Sequence, residues 1–210
     1  MKRFLIINLC SLFLCTSCAI PTVKGLSEYD AKATAFSNPY FANTNTDYVY
    51  KAKIKAYNND FGGILIIKKI KEKNHRIVFT TNFGNKIFDF ELINNEMKTH
   101  FIMKELDRKI IINTLKRDFQ TLTQEHNTIN KAFTNNDGNI IYQSKTQKRF
   151  NHYLINQQSQ QLTKIINTTH SKEKIIISFS NVKNTIAEHI KIEHKTAPIQ
   201  IDLTYLNHKE

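Results

Sequence analysis

The sequence predicts a mainly β (α+β) fold: a strongly curved antiparallel sheet, or incomplete β-barrel, capped by one inserted amphipathic helix. Three observations predict it. About a dozen short stretches carry apolar and polar residues in strand-like patterns, and many of them alternate with the period of two that a strand imposes. Turns rich in Asn and Gly separate many of them. One stretch, Lys104 to Leu122, switches to a three- and four-residue spacing, and with no second long helix to receive its apolar stripe, that stripe has to lie on the sheet.

Taken in order, residues 19–46 are mostly small and polar, with Pro21, Gly25 and Pro39 as breakers. This suits a tether leading into a short docking segment, with a brief helix over Leu26 to Phe36. Tyr48 to Tyr57 then alternates plainly, with Tyr48, Tyr50, Ala52, Ile54 and Ala56 on one face and Lys51, Lys53 and Lys55 on the other. Asn58 to Gly63 is turn chemistry, and Ile64 to Lys71 is a second strand opening on β-branched residues. His75 to Leu92 reads as a hairpin. Ile77, Phe79 and Thr81 share a face of its first strand and Phe88, Phe90 and Leu92 a face of its second, around Asn82-Phe83-Gly84-Asn85, where Asn and Gly supply positive φ. A fifth strand is expected at Lys98 to Met103. In the helix, Leu106, Ile110, Ile111, Leu115, Phe119 and Leu122 form the apolar stripe. Strands resume at Ile129 to Phe133, Asn139 to Gln143, Tyr153 to Asn156, Leu162 to Asn167, Lys174 to Phe179, Ile186 to Glu193 and Ile199 to Leu206.

The N-terminus has the marks of export. Met1-Lys2-Arg3 is basic, Phe4 to Leu14 is apolar but too short to span a bilayer, and Cys15-Thr16-Ser17-Cys18 follows. A cysteine after small residues is what bacterial lipoprotein processing modifies, and Thr16 and Ser17 favour Cys18 over Cys15. The expected division is a lipoprotein signal over 1–17, a lipidated tether and docking segment over 18–46, and one domain over 47–210. Cleavage before Cys18 removes Cys10 and Cys15 and leaves one thiol, so the domain rests on its hydrophobic core rather than on disulfides.

The formal charge is +12, and removing Lys2 and Arg3 leaves 28 basic against 18 acidic residues. Anionic partners are favoured. The basic residues are scattered through strands rather than gathered in a tract, which argues against nucleic acid and for lipid head groups, with base bias in the genome as the alternative source of the lysines. No catalytic, metal or cofactor constellation is found. His189 and His194 are five apart on a strand and point to opposite faces, and the chain has no nucleophile-elbow or phosphate-loop motif. Asp89 and Glu91 share a strand face, read as a solvated outer face rather than as a catalytic pair.

The layout of lipoprotein signal, short docking segment, strands, helix and strands resembles the LolB-like outer-membrane lipoprotein receptors. The sharpest local match is Arg76-Ile77-Val78-Phe79-Thr80-Thr81-Asn82-Phe83-Gly84, where an apolar residue stands directly before a glycine. The resemblance implies a LolA/LolB-like half-barrel, and a membrane-insertion loop at Asn82, Phe83 and Gly84. It also implies a concave apolar face that holds the acyl chains of lipoproteins delivered by a soluble periplasmic carrier. Candidate lining residues are Tyr50, Ile54, Phe79, Phe88 and Phe90, with Leu106, Ile110, Leu115 and Phe119 as the helical cap. Binding by buried area alone, at ~0.8 kcal/mol per methylene, needs no catalytic group. The implied location is the outer membrane, on its periplasmic face. The alternative is a lipid-anchored structural or interaction protein with a filled core.

Overall fold

A computed structural model of the chain describes residues 20–30, 32–146 and 148–206; the signal segment and Cys18 lie outside them. After a 3-10 turn at Pro21–Val23 come β1 (Ser27–Tyr29), β2 (Ala35–Ser37), β3 (Asp47–Ala56), β4 (Asn59–Lys71), β5 (Asn74–Thr80), β6 (Lys86–Ile93) and β7 (Glu96–Ile102). The helix α1 (Lys109–Thr123) follows. Then come β8 (His126–Thr128), β9 (Lys131–Thr134), β10 (Ile140–Thr146), β11 (Arg149–Ile155), β12 (Leu162–Thr168), β13 (Glu173–Lys183), β14 (Ile186–His194) and β15 (Ile199–Tyr205).

Thirteen strands form one antiparallel sheet in the order β1-β9-β10-β11-β12-β13-β14-β15-β3-β4-β5-β6-β7, and β2 pairs with β8. Two meanders, β3 to β7 and β9 to β15, join where β15 pairs with β3, Ile201 opposite Ile54 and Leu203 opposite Ala52. The edge strands β1 and β7 do not pair, so the sheet is curved but not closed into a barrel. The curvature can be read from α1. Its adjacent residues Asp118 and Phe119 reach His194 on β14 and Phe88 on β6. Those strands are five steps apart in the sheet, ~24 Å if it were flat, whereas a helix is only ~10–12 Å wide. The sheet therefore wraps around the helix. Register shifts at Lys69/Lys71, Phe79/Thr80 and Asp89/Phe90 supply bends on one limb, and those at Leu154/Ile155 and Asn167/Thr168 on the other.

Period-two patterning places the core. On β3 the pattern of Tyr48, Tyr50, Ala52, Ile54 and Ala56 is buried to 1% exposure while the lysines between them face out. Registered neighbours continue the inner row: Tyr205, Tyr50, Leu65, Phe79 and Phe88 stand side by side across five strands. At Gly63 the backbones come so close that a Cβ would lie 1.8 Å from the Thr80 carbonyl oxygen, which explains a glycine inside a strand.

Four elements differ from expectation. Asn59 to Gly63, expected as turn, opens β4 instead, because it pairs with β3 from Ala56 back to Ala52 and the reversal is confined to Tyr57 and Asn58. Leu26 to Phe36 is not a helix but contains β1 and β2, because β1 adds to β9 and β2 to β8, and their partners lie about a hundred residues downstream. The helix begins at Lys109 rather than Lys104. Arg108 is extended, and Leu106 and Asp107 donate to the carbonyls of Met103 and Lys104 in a turn that buries Leu106 ahead of the helix. Ile110, expected on the packed stripe, is 58% exposed. The stripe runs through Ile111, Leu115, Phe119 and Leu122, a spacing of four, four and three that leaves Ile110 about 100° away around the axis.

Candidate functional site

The β5–β6 connection is a tight turn. Gly84 N–H donates to the Thr81 carbonyl at 3.0 Å, Thr81 N–H donates to the Asn85 carbonyl at 2.8 Å, and Asn85 N–H donates to Thr81 Oγ1 at 3.2 Å. Gly84 alone takes a positive φ, +85°; Asn82 and Asn85 do not, so the turn depends on the glycine. Phe83 at its tip is 94% exposed. None of the described residues covers it.

Behind the tip, the outer face is not simply solvated. Asp89 is buried, with Arg76 Nε at 2.6 Å and Lys86 Nζ at 2.8 Å, because both cations fold over it. Burial pushes its carboxyl up, but the bonds from Lys86 and Arg76 outweigh that and hold it below the usual carboxylate value. Glu91 completes the group through His100 Nε2 at 3.0 Å and Asn74 Nδ2 at 3.2 Å. These two carboxylates are structural clamps on β5 and β6, and Lys86 is committed to Asp89.

On the concave face Tyr50, Ile54, Phe79, Phe88 and Phe90 are all buried. Phe88 and Phe90 stack with ring centroids 4.5 Å apart, and Phe79 and Phe119 close on Phe88 at 5.3 and 5.9 Å. Tyr50 donates to the Ala187 carbonyl at 3.1 Å, and burial pushes its phenol well above the ordinary value. Leu106, Leu115 and Phe119 cover this face, so the surface expected to line a cavity is filled by side chains.

The same arrangement of curved sheet and helix occurs in a LolA superfamily protein from Nitrosomonas europaea, with a TM-score of 0.51 over 81% of this chain and 88% of that one, at 9% identity. The fold is LolA/LolB-like. A solved structure described as an outer membrane lipoprotein-sorting protein domain, from Vibrio parahaemolyticus, aligns at a TM-score of 0.44 and 7% identity, over 77% of this chain and 83% of that one. No protein-family model matches the chain, and no curated protein sequence does.

Beside α1 the LolA/LolB-like domain carries a polar recess of about 730 Å³, which the sequence did not point to. Asn113, Lys116, Arg117 and Gln120 from α1 face Lys148 and Arg149 from the β10–β11 hairpin, over a floor of Asn151 and Asn167. These residues come from elements some thirty positions apart. No local motif marks them. Under the helix Asp118, fully buried, accepts from His194 Nε2 at 2.9 Å, and burial raises its carboxyl in spite of that bond. His152 is buried with Nδ1 at 3.3 Å from the Ile166 carbonyl and Nε2 at 2.9 Å from the Gln143 amide. One ring nitrogen donates and the other accepts, which suits the neutral ring, and burial lowers its pKa to about 4. Among the described residues no group of His, Cys, Asp and Glu is placed to hold a metal ion, and no helix is long and apolar enough to cross a membrane.

Proposed function

We propose that this chain is an outer-membrane lipoprotein, anchored through Cys18 on the periplasmic face, whose domain engages the membrane with Phe83 and accepts acyl chains of lipoproteins or lipid on the face under α1. The observation that carries this reading is Phe83. An aromatic ring 94% exposed at a tight hairpin tip stabilises nothing in its own fold and gains ~1.5–3 kcal/mol once an apolar phase covers it. The LolA/LolB-like fold supports the reading by giving that tip a curved sheet with an apolar concave side.

Because that side is filled, acyl chains enter by replacing α1. A chain of about 16 carbons gains ~12 kcal/mol on burial, at ~0.8 per methylene. Uncovering Ile111, Leu115, Phe119 and Leu122 costs ~6–12 kcal/mol at ~1.5–3 each. One chain roughly balances the exchange, and the further chains of a triacylated lipoprotein make it favourable. The connections at 103–108 and 124–125 are the hinges this motion needs.

The stacked phenylalanines favour a second reading, a lipid-anchored interaction protein that binds no acyl chain. Native mass spectrometry with a synthetic triacylated lipopeptide separates the two: the first requires one lipopeptide per chain, and the second predicts none. For the anchor, intact mass of membrane-extracted protein is expected to show diacylglyceryl and N-acyl groups on a chain beginning at Cys18. A soluble, unmodified mature chain contradicts it. Ala19 after the lipidated cysteine is not acidic, which by resemblance to the bacterial sorting pattern directs the protein to the outer membrane.

A further inference from the structure

We propose that the polar recess between α1 and the β10–β11 hairpin is a binding site for a phosphate group, with Arg117, Lys148 and Arg149 as its cationic contacts and Gln120, Asn113 and Lys116 on its rim. The site lies on the outward, polar side of α1, away from Phe83, but Asn113, Lys116, Arg117 and Gln120 ride on that helix, so the recess belongs to the state in which α1 is docked. Its volume, about 730 Å³, is that of a small-molecule site.

The charge in the recess is unbalanced. Among its lining residues Glu96 is the sole carboxylate, and Lys116 Nζ holds it at 2.6 Å. Asp118, buried behind Arg117, is engaged by His194. Among the described residues no carboxylate lies within 4.0 Å of Arg117, Lys148 or Arg149. Arg117 and Arg149 line the same recess, and burial together with the charge of Arg117 lowers the Arg149 pKa, with buried Asp118 opposing the shift only in part. An anion between them relieves that repulsion.

Arg149 is also held in position. Its Nη1 donates to Asn167 Oδ1 at 2.5 Å, and Asn167 Nδ2 donates to Asn151 Oδ1 at 2.6 Å. Asn151 Nδ2 points at Tyr153 Oη at 3.4 Å, and Tyr153 donates to Asn127 Oδ1 at 2.7 Å. Asn127, Asn151, Tyr153 and Asn167 are all buried. A relay of four buried polar side chains that ends on one half-exposed guanidinium orients its remaining N–H groups, and a planar fork of that kind matches phosphate oxygens. A solvated rim needs no such support.

The phosphate has two sources, a lipid head group or free phosphate. Calorimetric titration of the full chain, extracted in a neutral detergent, with glycerophosphoglycerol and with inorganic phosphate tests the site and distinguishes them. Saturable binding of either probe is expected, tighter for the diester if the source is lipid and tighter for inorganic phosphate if it is not. The double variant Arg117→Gln/Arg149→Gln is expected to weaken it at least tenfold. Lys148→Gln, on an exposed turn where folding is not at stake, is expected to weaken it several-fold, and Lys53→Gln on the outer face of β3 to leave it unchanged. Absence of saturable binding with both probes overturns the proposal, as does equal weakening by Lys148→Gln and Lys53→Gln, which would reveal unspecific attraction to a basic surface. Triacylated lipopeptide binding, measured on the same preparations, reports the acyl-chain reading separately: retained in wild type without phosphate binding, it leaves that reading standing and removes this one.

Discussion

Phe119→Ala is expected to destabilise the domain by ~3–5 kcal/mol, the largest loss of any single truncation on α1. Phe119 is fully buried and its ring lies 5.9 Å from Phe88, in the stack that joins β5, β6 and the helix. Truncation removes the transfer energy of the ring and leaves a cavity walled by other rings, which collapse poorly. Leu115→Ala, one turn earlier and also buried, is expected to cost ~2–5 kcal/mol. Ile110→Ala, on the same helix but 58% exposed, is expected to stay within ~0.5 kcal/mol. Urea unfolding followed by circular dichroism measures all three. Equal small effects would mean that α1 rests on the surface without holding the sheet.

Phe83→Glu is expected to leave the unfolding midpoint nearly unchanged while weakening attachment of the domain to liposomes roughly 10- to 100-fold. The two halves of that result come from one fact. A side chain 94% exposed has no native contacts to lose, yet its insertion into an apolar phase is worth ~1.5–3 kcal/mol, and every 1.4 kcal/mol is tenfold in affinity. The carboxylate adds repulsion from anionic lipid. Phe83→Leu is expected to keep most of the binding, because area rather than aromaticity is what the membrane reads. Gly84→Ala places a Cβ at φ +85°, so it distorts the turn and is expected to weaken attachment even with Phe83 intact. Co-sedimentation of a chain lacking the lipidated cysteine measures the domain's own contribution. A marked loss of stability in Phe83→Glu, with binding by the folded fraction unchanged, contradicts the assignment.

What could be read from the sequence follows from how local its causes are. The alternation of Tyr, Ala and Ile with Lys along β3 is a property of ten consecutive residues, and it survives into the structure residue for residue. The turns at Asn94-Asn95 and Asn135 to Gly138 are equally local in cause, Asn- and Gly-rich stretches that take positive φ at Asn94 and Asn95, +49° and +68°, and at Gly138, +77°. By contrast β1, β2 and β8 have three residues each and exist because of partners far away in the chain, so no window contains their cause. Ile110 and Ile111 are indistinguishable by composition; the angular phase set by Leu115, Phe119 and Leu122 turns Ile111 inward and leaves Ile110 about 100° away from it. Asp89 looked solvated because its strand face is polar, while Arg76 from the neighbouring strand and Lys86 bury it. Phe83 was legible because a phenylalanine between Asn and Gly breaks the usual turn chemistry. The polar recess was not, because Arg117 and Arg149 come to line one recess only after the sheet has curled.

The central claim, that acyl chains take the place of α1 on the concave face, is tested most directly by amide hydrogen exchange with and without a saturating triacylated lipopeptide. In the free protein the amides of 111–122 are expected to be protected, since that stretch is packed on the core. With lipopeptide bound they are expected to lose much of that protection, while β5 and β6 beneath keep theirs. An α1 that stays as protected with lipopeptide bound as without it would contradict the account, because the chains would then be held somewhere other than the face this helix covers.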